Sequence, residues 1–272
     1  MTKINNTIIK IITTILIGCA TITTAVADTK LPSNINSKYY WIGKTNSNEP
    51  IYSSNSNDIR PIASITKLMT AIIIVESNQN LEEIITITDE DVDIVKNSKS
   101  RLKVGTTLTL KEALHLALMS SENRAAHALA RTYPKGIDSF IREMNKKAIS
   151  LGLKSTTFID STGLDPRNTS TAQELAIIIN KASEYEIIRN LSTDSTFLFN
   201  NLEYNNSNKL IKDSKWNILT TKTGFTNEAG KCLAFISKIN NIYWTIIILN
   251  SSSSQNRIKD AIKIQNIIHI HN

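Results

Sequence analysis

Hydrolysing an amide at neutral pH needs a nucleophile, a base to take its proton and N–H donors for the oxyanion that forms. Four histidines could supply a base: His115, His127, His269 and His271. None stands in a Gly-x-Ser-x-Gly or His-Glu-x-x-His context, and all four read as helix-surface or core residues. Serine paired with lysine is the other route. Ser64-Ile-Thr-Lys67 sets a hydroxyl at the start of an apolar helical pattern and an amine one turn later on the same face. A helix start offers free N–H groups and the positive end of a dipole beside Ser64. A lysine stripped of water and close to other cations gives up its proton readily, so Lys67 can serve as the base.

One Ser-x-x-Lys is a weak signal, because lysines mostly sit at surfaces. The spacing recurs at Ser100-Arg-Leu-Lys103, beside Gly105, with no apolar helix behind it. Two more triplets add weight. Ser121-Glu122-Asn123 falls in a break between two helical patterns. Alone it reads as a helix cap, and Ser-x-Asn also occurs at Ser53 and Ser254. Lys222-Thr223-Gly224 ends a strand pattern and occurs once; alone it reads as a strand entering a turn. The weight lies in three elements in this order, each on the element type the chemistry needs. No group of residues has metal-ligand spacing, and the chemistry calls for no cofactor.

The elements that must position these residues follow from periodicity. Residues 65–76 form a helix, with Ile65, Leu68, Met69, Ile72 and Ile73 on one face. Thr109-Leu-Lys-Glu112 is a capping box that opens a helix over 110–119. Helices over 123–131 and 137–151 follow, and a second capping box, Thr171 to Glu174, leads into 175–182. Strands are expected at 39–42 and 51–53, at 84–88, and at 219–223, 232–239 and 242–249, with Asn240-Asn241 a tight turn between the last two. Residues 28–38 read as a loose leader, and a helix over about 257–268 closes the chain. The order predicts an α+β fold: an antiparallel sheet of about five strands built from both chain ends, flanked by helices, with an all-helical region inserted over roughly 65–215.

Bulk properties agree with this. The chain has 272 residues, 41% of them hydrophobic, which suits a globular domain with a sizeable core. Lys3 and Lys10 precede an apolar stretch from Ile11 to Ala20, and Ala25-Val26-Ala27 follows as a small-x-small site, the pattern of a signal peptide cut after residue 27. Residues 28–272 would then be one exported domain. Leu16-Ile-Gly-Cys19 is a lipobox-like alternative that would lipidate Cys19. Removing 1–27 takes away two lysines and no acids, so the net charge falls from +7 to +5. That surface suits an anionic wall polymer or weak association with an anionic membrane face; nucleic acid is excluded for want of a basic stripe with interleaved aromatics. Cys232 is left alone in an apolar run and reads as a core residue.

Penicillin-binding proteins and class A β-lactamases share this motif trio. Longer strings are Arg60-Pro-Ile-Ala-Ser-Ile-Thr-Lys-Leu-Met-Thr-Ala71, Ser100-Arg-Leu-Lys-Val-Gly105, Gly163-Leu with Ser170-Thr-Ala172, and Thr221 through Cys232. On these the chain resembles the low-molecular-mass serine D-alanyl-D-alanine peptidases over roughly residues 35–270, a span that suits one domain. Phe225 after Lys-Thr-Gly, and an end without a second β-rich domain or a clear amphipathic anchor, lean toward the endopeptidase branch.

The resemblance implies a β-lactamase/transpeptidase-like fold, a periplasmic location and cleavage of D-alanyl–diaminopimelate cross-links in peptidoglycan. It implies that Ser64 forms the acyl-enzyme, Lys67 takes its proton, and Ser121 relays a proton to the leaving amine. Asn123 would orient Lys67 and the substrate amide, while Lys222, Thr223 and Gly224 would line the site for the substrate carboxylate. The backbone N–H groups of Ser64 and Phe225 would form the oxyanion hole. β-Lactams would acylate Ser64. Glu122 departs from the aspartate of the motif, at a position with no proton-transfer role. The rivals are a D-alanyl-D-alanine carboxypeptidase, separated only by which amine leaves, and a non-catalytic wall-binding or penicillin-sensing module. A β-lactamase fits less well, since no segment supplies a deacylating glutamate.

Overall fold

The computed structural model describes residues 29–94 and 96–271; the signal-peptide and lipobox readings lie outside the described residues. Tyr39–Lys44 (β1) and Tyr52–Ser54 (β2) open a five-stranded antiparallel sheet. Six short strands follow: β3 (Arg60–Pro61), β4 (Ile84–Thr86), β5 (Thr107–Thr109), β6 (Thr169–Ser170), β7 (Thr196–Phe199) and β8 (Leu202–Asn205). They pair as three separate two-stranded ribbons, β3 with β6, β4 with β5 and β7 with β8. The inserted region is therefore mainly helical but pinned by ribbons. The chain returns to the main sheet with β9 (Ile218–Thr226), β10 (Gly230–Ile239) and β11 (Ile242–Ser251), in the order β2-β1-β11-β10-β9.

The three long strands read as nearly continuous apolar runs because both faces of the sheet are covered. On β10, Leu233 and Phe235 face one core and Cys232, Ala234 and Ile236 the other; on β11, Ile246 and Ile248 alternate in the same way with Ile247 and Leu249. The C-terminal helix α7, introduced below in chain order, covers the first face. The larger helical body covers the second.

That body begins with a 3-10 turn, Ala63–Thr66, which runs into α1 (Lys67–Glu76). The helix expected from residue 65 thus starts two residues later, and Ser64 sits in the tighter turn before it. α1 is buried on every side from Lys67 to Ile74, the behaviour of a helix that is apolar all round. α2 (Leu110–His115) widens into a π-helical turn at Leu116–Ser120, and α3 (Asn123–Arg131) and α4 (Gly136–Ser150) follow. α5 (Ala172–Ser183) packs on β1, β10 and β11, and α6 (Glu186–Thr193) lies on β9. α7 (Ser254–His271) packs on β10 and β11. The leader expected to be loose is pinned to it. The fully buried Asp260 carboxylate accepts from the backbone N–H of Asn36 and Ser37, at 2.8 and 2.9 Å, and from the Ser37 hydroxyl at 2.7 Å.

Candidate active site

The turn that carries Ser64 is shaped by three neighbours. Ala63 adopts φ 47°, a left-handed conformation costly for a residue with a Cβ, and its carbonyl accepts from Thr66 Oγ1 at 2.8 Å. Gly163, at φ +81°, presses against that same carbonyl, so closely that a Cβ there would stand 1.9 Å from it. Gly224 of β9 lies on the other side, where an added Cβ would meet the Ser64 nitrogen at 3.1 Å. Phe225, next along β9, is half exposed, and its N–H follows directly on this contact. The backbone donors at 64 and 225 thus lie on two segments that touch.

Lys67 is 1% exposed because it belongs to the first turn of the all-round buried α1. Its Nζ is 2.9 Å from Ser64 Oγ, 2.8 Å from Asn123 Oδ1 and 2.7 Å from the Thr162 carbonyl oxygen. Burial depresses its pKa to about 7, against an opposing pull from the Asp160 and Glu122 carboxylates. Near neutral pH a large share of Lys67 is therefore the free amine. Such an amine has two N–H bonds for Asn123 and Thr162 and one lone pair left for the Ser64 hydroxyl.

Ser121 is the left-handed residue, φ 64°, where the π-helical turn breaks before α3. Two residues on, Asn123 bonds Lys67 through Oδ1 and donates through Nδ2 to Ser98 Oγ at 2.9 Å. A π turn and a residue forced to positive φ mark the kind of local strain that functional sites keep.

The opposite wall is β9, the edge strand of the sheet. Lys222 is also 1% exposed and donates to the Thr223 carbonyl at 3.0 Å. Burial, then the positive charges of Lys67 and Arg257, hold its pKa well below that of an ordinary lysine. Thr223 Oγ1 donates to Ser207 Oγ at 2.7 Å. An anionic ligand carboxylate would relieve this uncompensated positive potential.

Of the trio, Lys67 is hydrogen-bonded to Ser64 and Asn123, Lys222 lies near enough to feel its charge, and Ser121 is placed by standing two residues before Asn123. Sequence reasoning missed the groups that hold them. Asp160 Oδ1 accepts from Thr162 N, Thr162 Oγ1 and Gly163 N, and Oδ2 from Asp165 N and Asn168 Nδ2, at 2.6 to 2.9 Å. That closes the loop that presents the Thr162 carbonyl to Lys67. The signal was an Asp followed by Ser-Thr-Gly, an Asx-turn string. Two of the histidines stand against carboxylates away from this cluster: His115 Nε2 is 3.0 Å from Asp194, without hydrogen-bond geometry, and His127 Nδ1 is 2.7 Å from Asp91. Cys232 is fully buried, and burial pushes its thiol up to about 11, as befits a core residue. The second Ser-x-x-Lys, at 100–103, lies outside the cluster in a loop where Leu102 N donates to Ser100 Oγ.

An antiparallel sheet with a helical insert, and a serine held against a buried lysine at their junction, define a serine acyl-transfer enzyme of the penicillin-recognising class. The model of the S11 peptidases, described as D-alanyl-D-alanine carboxypeptidase, matches residues 21–253, and the chain belongs to this family. It is 38% identical over 226 residues to the D-alanyl-D-alanine endopeptidase of Pseudomonas aeruginosa, covering 81% of this chain and 73% of that protein. It is 38% identical over 248 residues to the enzyme of the same name from Escherichia coli, covering 89% and 80%. The fold of the Streptomyces K15 DD-transpeptidase superimposes with a TM-score of 0.81 at 27% identity, covering 88% of this chain and 98% of that one.

Proposed function

We propose that the chain is a D-alanyl-D-alanine endopeptidase that hydrolyses D-alanyl–diaminopimelate cross-links of peptidoglycan through a Ser64 acyl-enzyme. The observation that carries this is the Lys67 amine, held by two fixed acceptors with its third position 2.9 Å from Ser64 Oγ. In acylation Ser64 Oγ bonds to the D-alanyl carbonyl carbon while its proton passes to Lys67. The Ser64 and Phe225 N–H groups take the oxyanion, each donor contributing about 2.7–4 kcal/mol to the transition state. The C–N bond then breaks as Ser121 gives its hydroxyl proton to the departing amine and takes the Lys67 proton in its place; the carboxylate next to that amine meets Lys222 and Thr223. Water attacks the ester carbonyl carbon, giving a proton to Lys67, which returns it to Ser64 Oγ as the acyl–oxygen bond breaks.

The name shared by the Pseudomonas and Escherichia relatives supports the endopeptidase reading. Residues 1–27 carry the signal-peptide pattern, so the mature enzyme works in the periplasm. β-Lactams act as slow inhibitors. The loop facing Lys67 presents the Thr162 carbonyl, and its Asp160 carboxylate is taken up by the loop's own donors, so it supplies no free glutamate of the kind class A β-lactamases use to clear penicillin.

The test sets wild type against Ser64→Ala on purified cross-linked muropeptide dimers. Wild type releases two monomers, and the variant loses activity at least about 10³-fold. Equal release by both proteins ends the serine mechanism. Release of only terminal D-alanine from pentapeptides, with dimers left intact, makes the enzyme a carboxypeptidase.

A further inference from the structure

Beside the cleft, between the loop at 98–102, the β7–β8 ribbon and the start of α3, lies a polar basin of about 760 Å³. Its frame is built by three ties. The Arg101 guanidinium lies 4.0 Å from the centroid of the Tyr204 ring and donates to the Glu203 carbonyl at 2.8 Å. Arg124 Nη1 donates to the Leu102 carbonyl at 2.6 Å. Ser98 accepts from Asn123, which links the basin to the lysine network. The Ser100-Arg-Leu string, which the catalytic account leaves unused, is thus the bridge between the loop and the ribbon.

Two buried polar atoms on its walls have no hydrogen-bond partner among the described residues. They are the Tyr204 hydroxyl, on a residue 1% exposed, and Glu122 Oε1, on a residue 9% exposed. Leaving such groups unpaired is costly; both are shielded from solvent in the free protein, so a ligand with matching donors and acceptors would repair this only with a small shift of the wall. The exposed side chains of Lys99 and Arg101 and the half-buried Arg124 outweigh the Asp93 and Glu122 carboxylates that also line it, so the basin is positive on balance.

The basin lies on the leaving-group side. Ser120 and Glu122, which flank Ser121, line it. Tyr204 stands three residues before Ser207, the partner of Thr223. That sets the basin next to the residues proposed to meet the departing amine. A carboxypeptidase releases a single D-amino acid, which ends at Thr223. An endopeptidase releases an amine attached to a whole peptide stem that carries free carboxylates.

We infer that this basin is the subsite for the anionic peptide stem attached to the leaving amine, and that it makes the enzyme select cross-links over free D-alanine termini. The stem's carboxylates face Lys99, Arg101 and Arg124. Its amide N–H groups face Glu122 Oε1 and the Tyr204 hydroxyl. The inference rests on the endopeptidase reading.

The test uses full-length mature enzyme and three probes: a purified cross-linked muropeptide dimer, a pentapeptide monomer ending in D-Ala-D-Ala, and a fluorescent penicillin. Tyr204→Phe removes a hydroxyl that bonds nothing in the free protein, and Lys99→Glu reverses a charge at the exposed rim. For each variant kcat/KM on the dimer relative to the monomer falls about tenfold, the scale of one lost polar contact in a specific site. The Lys99→Glu loss is in KM and shrinks as salt rises. Penicillin acylation reports that the catalytic centre is intact. Equal losses on dimer and monomer, or no loss on the dimer, overturn the subsite. A wild-type enzyme that cleaves the monomer and leaves the dimer untouched overturns the endopeptidase reading itself, and the subsite with it.

Discussion

The cleft has a helical wall and a sheet wall, and each buries one lysine to the same 1% exposure. The two amines meet different company. Lys67 has three oxygen partners and feels the Asp160 and Glu122 carboxylates, which stop its depressed pKa at about 7. Lys222 has the Thr223 carbonyl, and the charges that reach it, Lys67 and Arg257, are both positive. The first amine is complete within the fold and poised between its two protonation states. The second lacks an anion that only a ligand can bring. Burial alone makes neither environment; on the proposed mechanism, the balance of charge around equal burial separates a base from a receptor for carboxylate.

Deleting each amine should break the two walls differently. Lys67→Ala removes the base, and acylation by substrate or penicillin falls by about 10³-fold, within the range of general base catalysis. The loss is in the chemical step and affects every acyl donor alike. Lys222→Ala costs about 10²-fold, mainly in KM, for substrates with a free carboxylate, and less for an ester of the same compound. Steady-state kinetics with the carboxylate and its methyl ester measure both. Equal sensitivity to esterification in the two variants would erase the distinction.

The glycines that seat the walls against Ser64 sharpen the same contrast. At Gly163 a methyl group would meet the Ala63 carbonyl at 1.9 Å in a backbone conformation that L-residues avoid. At Gly224 the nearest atom would be the Ile62 carbonyl at 3.0 Å, and no positive φ adds strain. Gly163→Ala should therefore lower stability by about 3 kcal/mol or more, displacing the Thr162 carbonyl from Lys67. Gly224→Ala should cost about 1 kcal/mol and act mainly by crowding the Ser64 and Phe225 N–H groups proposed to hold the oxyanion. Denaturant melts of the two variants, beside penicillin acylation rates, rank them. A reversed order would mean that the loop yields where the strand does not.

The two walls also differed in how far they could be read from sequence. The sheet wall was nearly transparent: apolar runs, Asn240-Asn241 and Lys-Thr-Gly gave strands within a few residues of β9, β10 and β11. The helical wall was readable where a cap announces itself. At Thr109 the box closes both ways, Glu112 N to Thr109 Oγ1 and Thr109 N to Glu112 Oε2. At Thr171 only half of it forms, because the Glu174 carboxylate turns to the backbone N–H groups of Lys154 and Ser155. The β7–β8 ribbon was missed although Asn200-Asn201 takes positive φ at both residues, as Asn240-Asn241 does; its flanking strands are short and half exposed. The loop at 160–168 was illegible for a different reason. Its shape comes from one carboxylate that gathers several backbone donors, a pattern with no period.

The finest test of the two-lysine contrast is the pH profile. Acylation needs the neutral amine of Lys67, so its rate with a fluorescent penicillin rises with pH through about 7 and levels off above. Glu122 raises the Lys67 pKa, so Glu122→Gln moves that midpoint toward acid by a fraction of a unit, with the plateau little changed. Stability carries the same signature with a definite sign. The folded pKa lies below the ordinary lysine value of 10.5, so the cost of the buried ammonium is fully present below about 7 and is relieved as pH climbs toward 10.5. Lys67→Met is therefore more stable than wild type near about pH 6, and its advantage shrinks toward about pH 10. If the rate profile stays flat across neutrality while Lys67→Met keeps a constant advantage, the amine does not titrate where its surroundings put it. The contrast with Lys222 would then have to rest on position alone.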